Sequence, residues 1–229
     1  MNYKLRKIKK DSGKVYILGD LHGCYTALIE KLNAIGFNFK EDLVISVGDL
    51  IDRGTENIQC LELMSEEWFL AANGNHELMA YRGVILRDEL HYDHWCNEGG
   101  LWLSYLKGTD DYKWAKELIA NTESMPDIIE LSRNGKTYVI CHADYPRDVY
   151  SCDADLSASE VHDMKWNRDR IDGFIDGIIE ERGMVIAGAD HFFFGHTSLQ
   201  EISSVGNCTY VDTGLVASGN VGLVDVDLF

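Results

Sequence analysis

The eight residues VGDLIDRG, positions 47–54, set Asp49, Asp52 and Arg53 between two glycines directly after the apolar run Leu43-Val44-Ile45. Four other segments repeat the pattern of an apolar run that stops and at once presents residues able to do chemistry. They are Gly19-Asp20-Leu21-His22-Gly23, Gly74-Asn75-His76-Glu77, Cys141-His142-Ala143-Asp144 and Gly195-His196-Thr197. Asp20, His22, Asp49, Asn75, His142 and His196 together offer oxygen and imidazole-nitrogen donors without a thiolate. That set suits manganese, iron or zinc rather than a structural thiolate zinc site. Six protein ligands exceed what one open catalytic metal keeps, but they suit two cations about 3.5–4 Å apart sharing a carboxylate. Any one of these residues is most simply a cap or a turn residue; five strand ends carrying them together are not accounted for in that way.

Such chemistry needs the five segments to converge, and the elements between them supply a reason. Val15–Leu18, Asp42–Val47 and Phe69–Ala72 read as strands. Helical spacing of Leu28, Ile29, Leu32 and Ile35 fills Cys24–Ile35, and Ile58, Leu61 and Met64 do the same for Glu56–Glu67. Strand, helix, strand, helix, strand implies a βαβαβ core and a partly parallel sheet. In α/β sheets the carboxyl ends of the strands open onto one crevice, where ligands bind. Residues 83–130 read as mostly helical or irregular, with Trp95, Trp102 and Trp114 as core anchors. Strand signals return at 137–140, 192–194, 209–211 and 221–226. No linker, repeat or low-complexity tract interrupts the chain, so a single domain over residues 1–229 is expected.

Composition narrows the partners. A net charge of -17 over 229 residues argues against binding to nucleic acid or to an anionic membrane surface. Six scattered cysteines with no C-x-x-C pair read as reduced thiols in a cytoplasmic protein. The basic N-terminus has no apolar core of a signal peptide, and no stretch approaches the ~18 apolar residues of a membrane span. A monomer is compatible with all of this.

The motifs GDLHG, GDLIDRG, GNHE, CHAD and FGHT, in that order, resemble those of the PPP-type metallophosphoesterases, the family of the protein serine/threonine phosphatases. Stretches such as GDLHGCYTALIEKLNAIGF, LVISVGDLIDRGTEN, YVICHADYP and KWNRDRI resemble its phage members most, and the likeness is weakest in residues 83–125 and after Thr197. The resemblance implies an α/β metallophosphoesterase fold, a central two-sheet sandwich of mixed strands flanked by helices. It implies that Asp20 and His22 hold a first divalent cation, that Asp49 bridges, and that Asn75, His142 and His196 complete a second. It makes His76 the general acid, oriented by Asp52, with Arg53 and Arg168 clamping the phosphate; Arg147 and Arg170 are nearby alternatives to Arg168. Manganese is the first choice of metal, with iron or zinc as alternatives. The reaction implied is direct attack of a cation-bridging hydroxide on a phosphomonoester of a phosphorylated protein or peptide. Phosphotyrosine and aryl phosphates are implied as further substrates.

This assignment agrees with what the reaction needs. Paired cations offset the charge of the phosphate dianion, and a forked guanidinium matches its oxygens. The serine or threonine alkoxide that leaves is strongly basic, and a histidinium steadied by a carboxylate can protonate it, an effect of roughly 10²–10⁴ in rate. A dinucleoside tetraphosphate hydrolase is the alternative within the same chemistry, with Tyr145 or Tyr81 as candidate base-stacking residues. A non-catalytic metal-binding adaptor is the alternative outside it. The segment CHADYPR matches the bare C-x5-R signature of thiolate phosphatases, but it has no glycine and His142 is already wanted as a ligand. Asp144 is expected either to support His142 or to bond within its own loop. His91, His94, His162 and His191 fall outside the motifs and read as surface or core polar groups.

Overall fold

The computed structural model describes residues 3–229. Among these residues ten strands form two mixed sheets. The first sheet runs β1 (Leu5–Lys9), β5 (Ile128–Arg133), β6 (Lys136–Ile140), β7 (His191–Phe194), β9 (Cys208–Tyr210), β8 (Ser203–Val205). The second runs β10 (Leu223–Asp225), β2 (Val15–Leu18), β3 (Leu43–Ser46), β4 (Phe69–Ala71). Strands β2, β3 and β4 are parallel neighbours, as are β6 and β7. The predicted βαβαβ order is therefore present, with α1 (Tyr25–Ala34) and α2 (Asn57–Glu62) as its crossovers.

Side-chain alternation shows how the sheets stack. Ile17, Ile45, Ile129, Leu131, Ile140 and Phe193 belong to one buried cluster, which fills the space between the sheets. Their strand neighbours point the other way. Tyr16, Leu18, Val44 and Phe69 pack with Leu28 and Leu32 of α1 and Leu61 of α2. Val139, Phe192 and Phe194 pack with Met164 and Ile171. The period of two along each strand thus gives helix, sheet, sheet and helix layers. Each large apolar side chain so buried contributes roughly 1.5–3 kcal/mol.

Between β4 and β5 the chain is helical, through α3 (Asn75–Ala80), α4 (Glu89–Trp95), α5 (Trp102–Tyr105) and α6 (Asp110–Asn121). After β6 come α7 (Ala158–Trp166) and α8 (Asp169–Ile175). Two expectations need correction. Residues 128–130 are strand, not helix or irregular chain, because Ile129 and Leu131 face the inter-sheet core. Trp114 is not a core anchor: it is 44% exposed on α6, and its indole N–H donates to Glu62. Strands β1 and β8 lie on the two edges of the larger sheet and carry little apolar pattern of their own.

Candidate metal and active site

All five predicted strand ends meet at one edge of the sandwich. The turns that bring them there are strained: His22, Asp49, Asp52, Arg53 and His196 all have φ between +44° and +77°. Among the described residues seven non-glycine residues have positive φ, and five of them are in this one site. Residues in that region persist only where the surroundings over-determine them, and they concentrate at functional sites. Close approach fixes two glycines as well. A Cβ on Gly74 would lie 2.1 Å from Asp49 Oδ1, and one on Gly195 would lie 2.2 Å from Asp20 Oδ1.

Asp49 is the centre of the arrangement. Its Oδ2 lies 3.8 Å from His22 Nε2, 3.8 Å from His76 Nε2 and 3.3 Å from His142 Nε2. Asp20 Oδ2 is 4.0 Å from His22 Nε2, and Asn75 Oδ1 is 2.8 Å from His142 Nε2. The His142 and His196 rings sit 5.1 Å apart. Two donor sets result, His22 with Asp49 and His76, and Asp49 with His142 and His196; within each set the candidate ligand atoms all lie within 4.8 Å of one another. All six predicted ligands are buried.

Hydrogen bonding decides which nitrogen of each ring faces inward. His22 Nδ1 donates to the Ile51 carbonyl and His142 Nδ1 to the Val47 carbonyl. The His196 ring is bonded to the Trp166 backbone. Carbonyl partners of this kind fix the tautomer of a metal-ligating histidine. The inward Nε2 of neutral His22 then faces Arg53 and the Asp49 carboxylate, and the inward Nε2 of His142 lies 2.8 Å from Asn75 Oδ1. Imidazole nitrogens and carboxylate oxygens converging in a buried site without a thiolate are donors that a divalent cation takes, so the residues present fit a divalent metal site.

His76 differs. Its Nδ1 lies 2.7 Å from Asp52 Oδ2, a carboxylate rather than a backbone carbonyl. Burial works against charge on all of these rings. It drives His22 and His196 down to about 3, with His76 adding to the effect at His22 and His142 at His196. At His76 the carboxylates of Asp49 and Asp52 outweigh burial and its pKa is raised. Burial also pushes Asp20 well up, and the Asp212 and Asp49 carboxylates add to it. At Asp49 burial is overcome by His142, His76 and His22, which hold it well below the usual carboxylate range.

The arginines separate clearly. Arg53 Nη1 donates to His22 Nε2 at 2.8 Å and Nη2 to His76 Nε2 at 3.1 Å, so the guanidinium spans the mouth of the site. Arg170 is held by Asp144 and by the Gly183 and Tyr145 carbonyls, and Arg147 by Glu160 and the Asp155 carbonyl. Exposed Arg168 makes no side-chain hydrogen bond or ion pair among the described residues, and its charge is felt at His196. Asp144 does not support His142; it pairs with Arg170 and accepts from the Tyr145 N–H. Cys141 is fully buried, its thiol pushed well up by burial, the reverse of what a thiolate nucleophile needs. All six cysteines are free.

Several participants escaped the sequence. Asp52, with no solvent exposure, accepts from the indole N–H groups of both Trp95 and Trp102 at 2.7 Å. The π-helical turn Cys96–Gly100 between these tryptophans, with Gly99 at φ 118°, brings both indoles onto one carboxylate. Glu77 accepts from the Asp49, Leu50 and Gly74 N–H groups and so ties the β3 turn to the start of α3. The carboxylate of Asp212, after β9, is felt at Asp20 and pushes its pKa up. His94 and His162 stack on Trp166, whose ring edges His196. Only Glu77 and Asp212 left a signal, as polar residues near strand ends.

Comparison with known proteins fits this geometry. Residues 13–200 match the family described as calcineurin-like phosphoesterase. The chain is 37% identical over 212 residues, 93% of its length and 92% of the other's, to serine/threonine-protein phosphatase 2 of Salmonella typhimurium. It is 24% identical over 225 residues, 91% of its length and 88% of the other's, to the asymmetrical bis(5'-nucleosyl)-tetraphosphatase PrpE of Bacillus cereus. A protein serine/threonine phosphatase of Saccharomyces cerevisiae shares the fold, with a TM-score of 0.66 at 16% identity over 98% of this chain and 76% of that one. The family implies a dinuclear divalent metal site, and His22, Asp49, His142 and His196 of these two sets offer ligands for one. The matched motifs are the same strand-end turns that gather around Asp49, and the chain belongs to the calcineurin-like phosphoesterase family.

Proposed function

We propose that this chain is a metal-dependent protein serine/threonine phosphatase, acting as one catalytic domain in the cytoplasm on phosphorylated proteins or peptides. Asp20, His22, Asp49, Asn75, His142 and His196 hold two divalent cations, manganese first among them because the donors are hard to borderline and include no thiolate. When bound, the cations supply Lewis acidity toward the phosphoryl oxygens and activate water. Arg53 leaves the two histidine nitrogens to take the phosphate, and Arg168, the one arginine of its group without a partner, takes it from the other side. The protonated Nε2 of His76 delivers its proton to the leaving alkoxide, while Asp52 keeps Nδ1–H in place. Phosphotyrosine and aryl phosphates, whose leaving groups need less help, are also substrates.

The observation that carries this reading is the contrast among the buried histidines. His22 and His196 are held neutral and bonded to the backbone, as ligands are, whereas His76 is bonded to a carboxylate and raised, as a proton donor is. Near full-length identity of 37% to a serine/threonine-protein phosphatase supports the substrate class. Tetraphosphate hydrolysis is the second reading, favoured by the tetraphosphatase relative at 24% identity.

The test is to strip the protein with chelator, restore it with Mn, Fe, Zn or Mg, and compare kcat/KM for a phosphoserine peptide and a dinucleoside tetraphosphate. Manganese is expected to restore the peptide activity most, and the peptide to be the better substrate. A better rate on the tetraphosphate would transfer the assignment to the second reading.

A further inference from the structure

A groove of about 460 Å³ opens beside the proposed phosphate position, and Arg53 lines it. Its apolar wall is Ile58 from α2 and Leu101, Trp102, Tyr105 and Leu106 from the α5 region, with Thr55, Asn57 and Gln59 as its polar, uncharged part. Leu101 is 48% exposed and Tyr105 80% exposed, so apolar surface lies open to solvent here. Among the described residues no carboxylate lines the groove, although 38 of the 229 residues are acidic. Arg53 supplies its one charge, and the carboxylate nearest that guanidinium, Glu98 at 3.5 Å, lies outside the lining. The volume is within the range of small-ligand sites, roughly 300–1,000 Å³.

We infer that this groove is a specificity subsite that receives an apolar side chain adjacent to the phosphorylated residue of a peptide substrate. The inference rests on the phosphoprotein reading above and deepens it. Three observations select the occupant. Arg53 belongs to both the groove and the catalytic mouth, so anything in the groove lies within one side chain of the phosphate and is part of the same molecule. The walls are mostly aliphatic and aromatic, which rewards removal of apolar surface from water, and the one charged lining group, Arg53, is taken up by the phosphate, so a charged flanking residue finds no free partner. Trp102 forms part of the wall while its indole N–H donates to Asp52, so the groove is built on the same rigid element that orients the proton donor.

The experiment uses the manganese-loaded full chain and phosphoserine peptides of one framework. The residue before or after phosphoserine is Leu, Phe, Glu or Gly, and kcat/KM is read for each. In the wild type, Leu or Phe on one side should exceed Gly by roughly tenfold or more, and Glu should fall at or below Gly. Leu101→Ser and Tyr105→Ala change exposed side chains with no hydrogen-bonding role. Each should bring the Leu-to-Gly ratio toward one and leave the Gly-flanked peptide within about twofold of wild type. Equal rates for all peptides in the wild type would overturn the subsite while leaving the phosphatase reading intact. Absence of turnover for every peptide, with a tetraphosphate hydrolysed, would overturn both. A selective loss of tetraphosphate turnover in Tyr105→Ala, with the peptide ratios unmoved, would show that the groove holds a nucleobase instead and overturn the peptide subsite.

Discussion

Asp52 carries three N–H groups on one carboxylate that has no contact with solvent. Burial raises it, and the bonds from His76, Trp102 and Trp95 pull it back. Removing the proton carrier and removing its support should therefore have different signatures. His76→Asn should keep both cations yet slow phosphoserine turnover by roughly 10²–10⁴, while p-nitrophenyl phosphate, whose leaving group is already acidic, is largely spared. Equal losses on both substrates would remove His76 from the donor role. The raised pKa sets the sign of the pH dependence. A donor raised above its usual value stays protonated further into the alkaline range, so phosphoserine kcat should hold through neutral pH and fall as pH rises through that pKa. The p-nitrophenyl phosphate profile should lack that alkaline fall. Trp102→Phe leaves Asp52 Oδ1 buried without a donor, a cost of roughly 1–3 kcal/mol in a urea titration. It should also reduce phosphoserine kcat more than p-nitrophenyl phosphate kcat; an equal reduction would mean that the indole serves folding alone.

Elements rather than residues explain why the chemistry was readable. Each of β2, β3, β4, β6 and β7 ends in a short polar run, and parallel neighbours carry such runs to the same edge. The ten predicted site residues lie in or beside those runs and meet around Asp49, apart from Arg168, which begins α8 near His196. What the runs did not reveal was their support. Trp95 and Trp102 reach Asp52 from 43 and 50 residues away, through a helical stretch whose local pattern marks them only as apolar. The β1 segment LRKIK was hidden for a related reason: as an exposed edge strand it carries lysines rather than an apolar face. The turns themselves can be tested. Gly195→Ala forces a Cβ against Asp20 Oδ1 at 2.2 Å and Val47 Cγ2 at 2.5 Å. Metal titration should show cation affinity weakened by roughly 10–100-fold, as when the supports of a metal ligand are disturbed. Unchanged affinity would mean that Asp20 is not a ligand.

For the whole molecule, the excess of 38 acidic over 21 basic residues and the Asp49 and Asp212 carboxylates felt at Asp20 point the same way. Cation binding should stabilise the folded state as well as activate it. At a free manganese concentration 100 times its dissociation constant, the gain is about 2.7 kcal/mol per site, visible as a higher melting temperature that chelator reverses. Among the described residues no helix is long and apolar enough to cross a membrane. The sandwich brings strand ends from both sheets, His142 and His196 from one and Asp20, His22, Asp49 and Asn75 from the other, to a single point. That convergence is the central claim, and anomalous diffraction from manganese-soaked crystals tests it most directly. Two peaks about 3.5–4 Å apart on either side of the Asp49 carboxylate are predicted. A single peak, or a pair remote from Asp49, would contradict it.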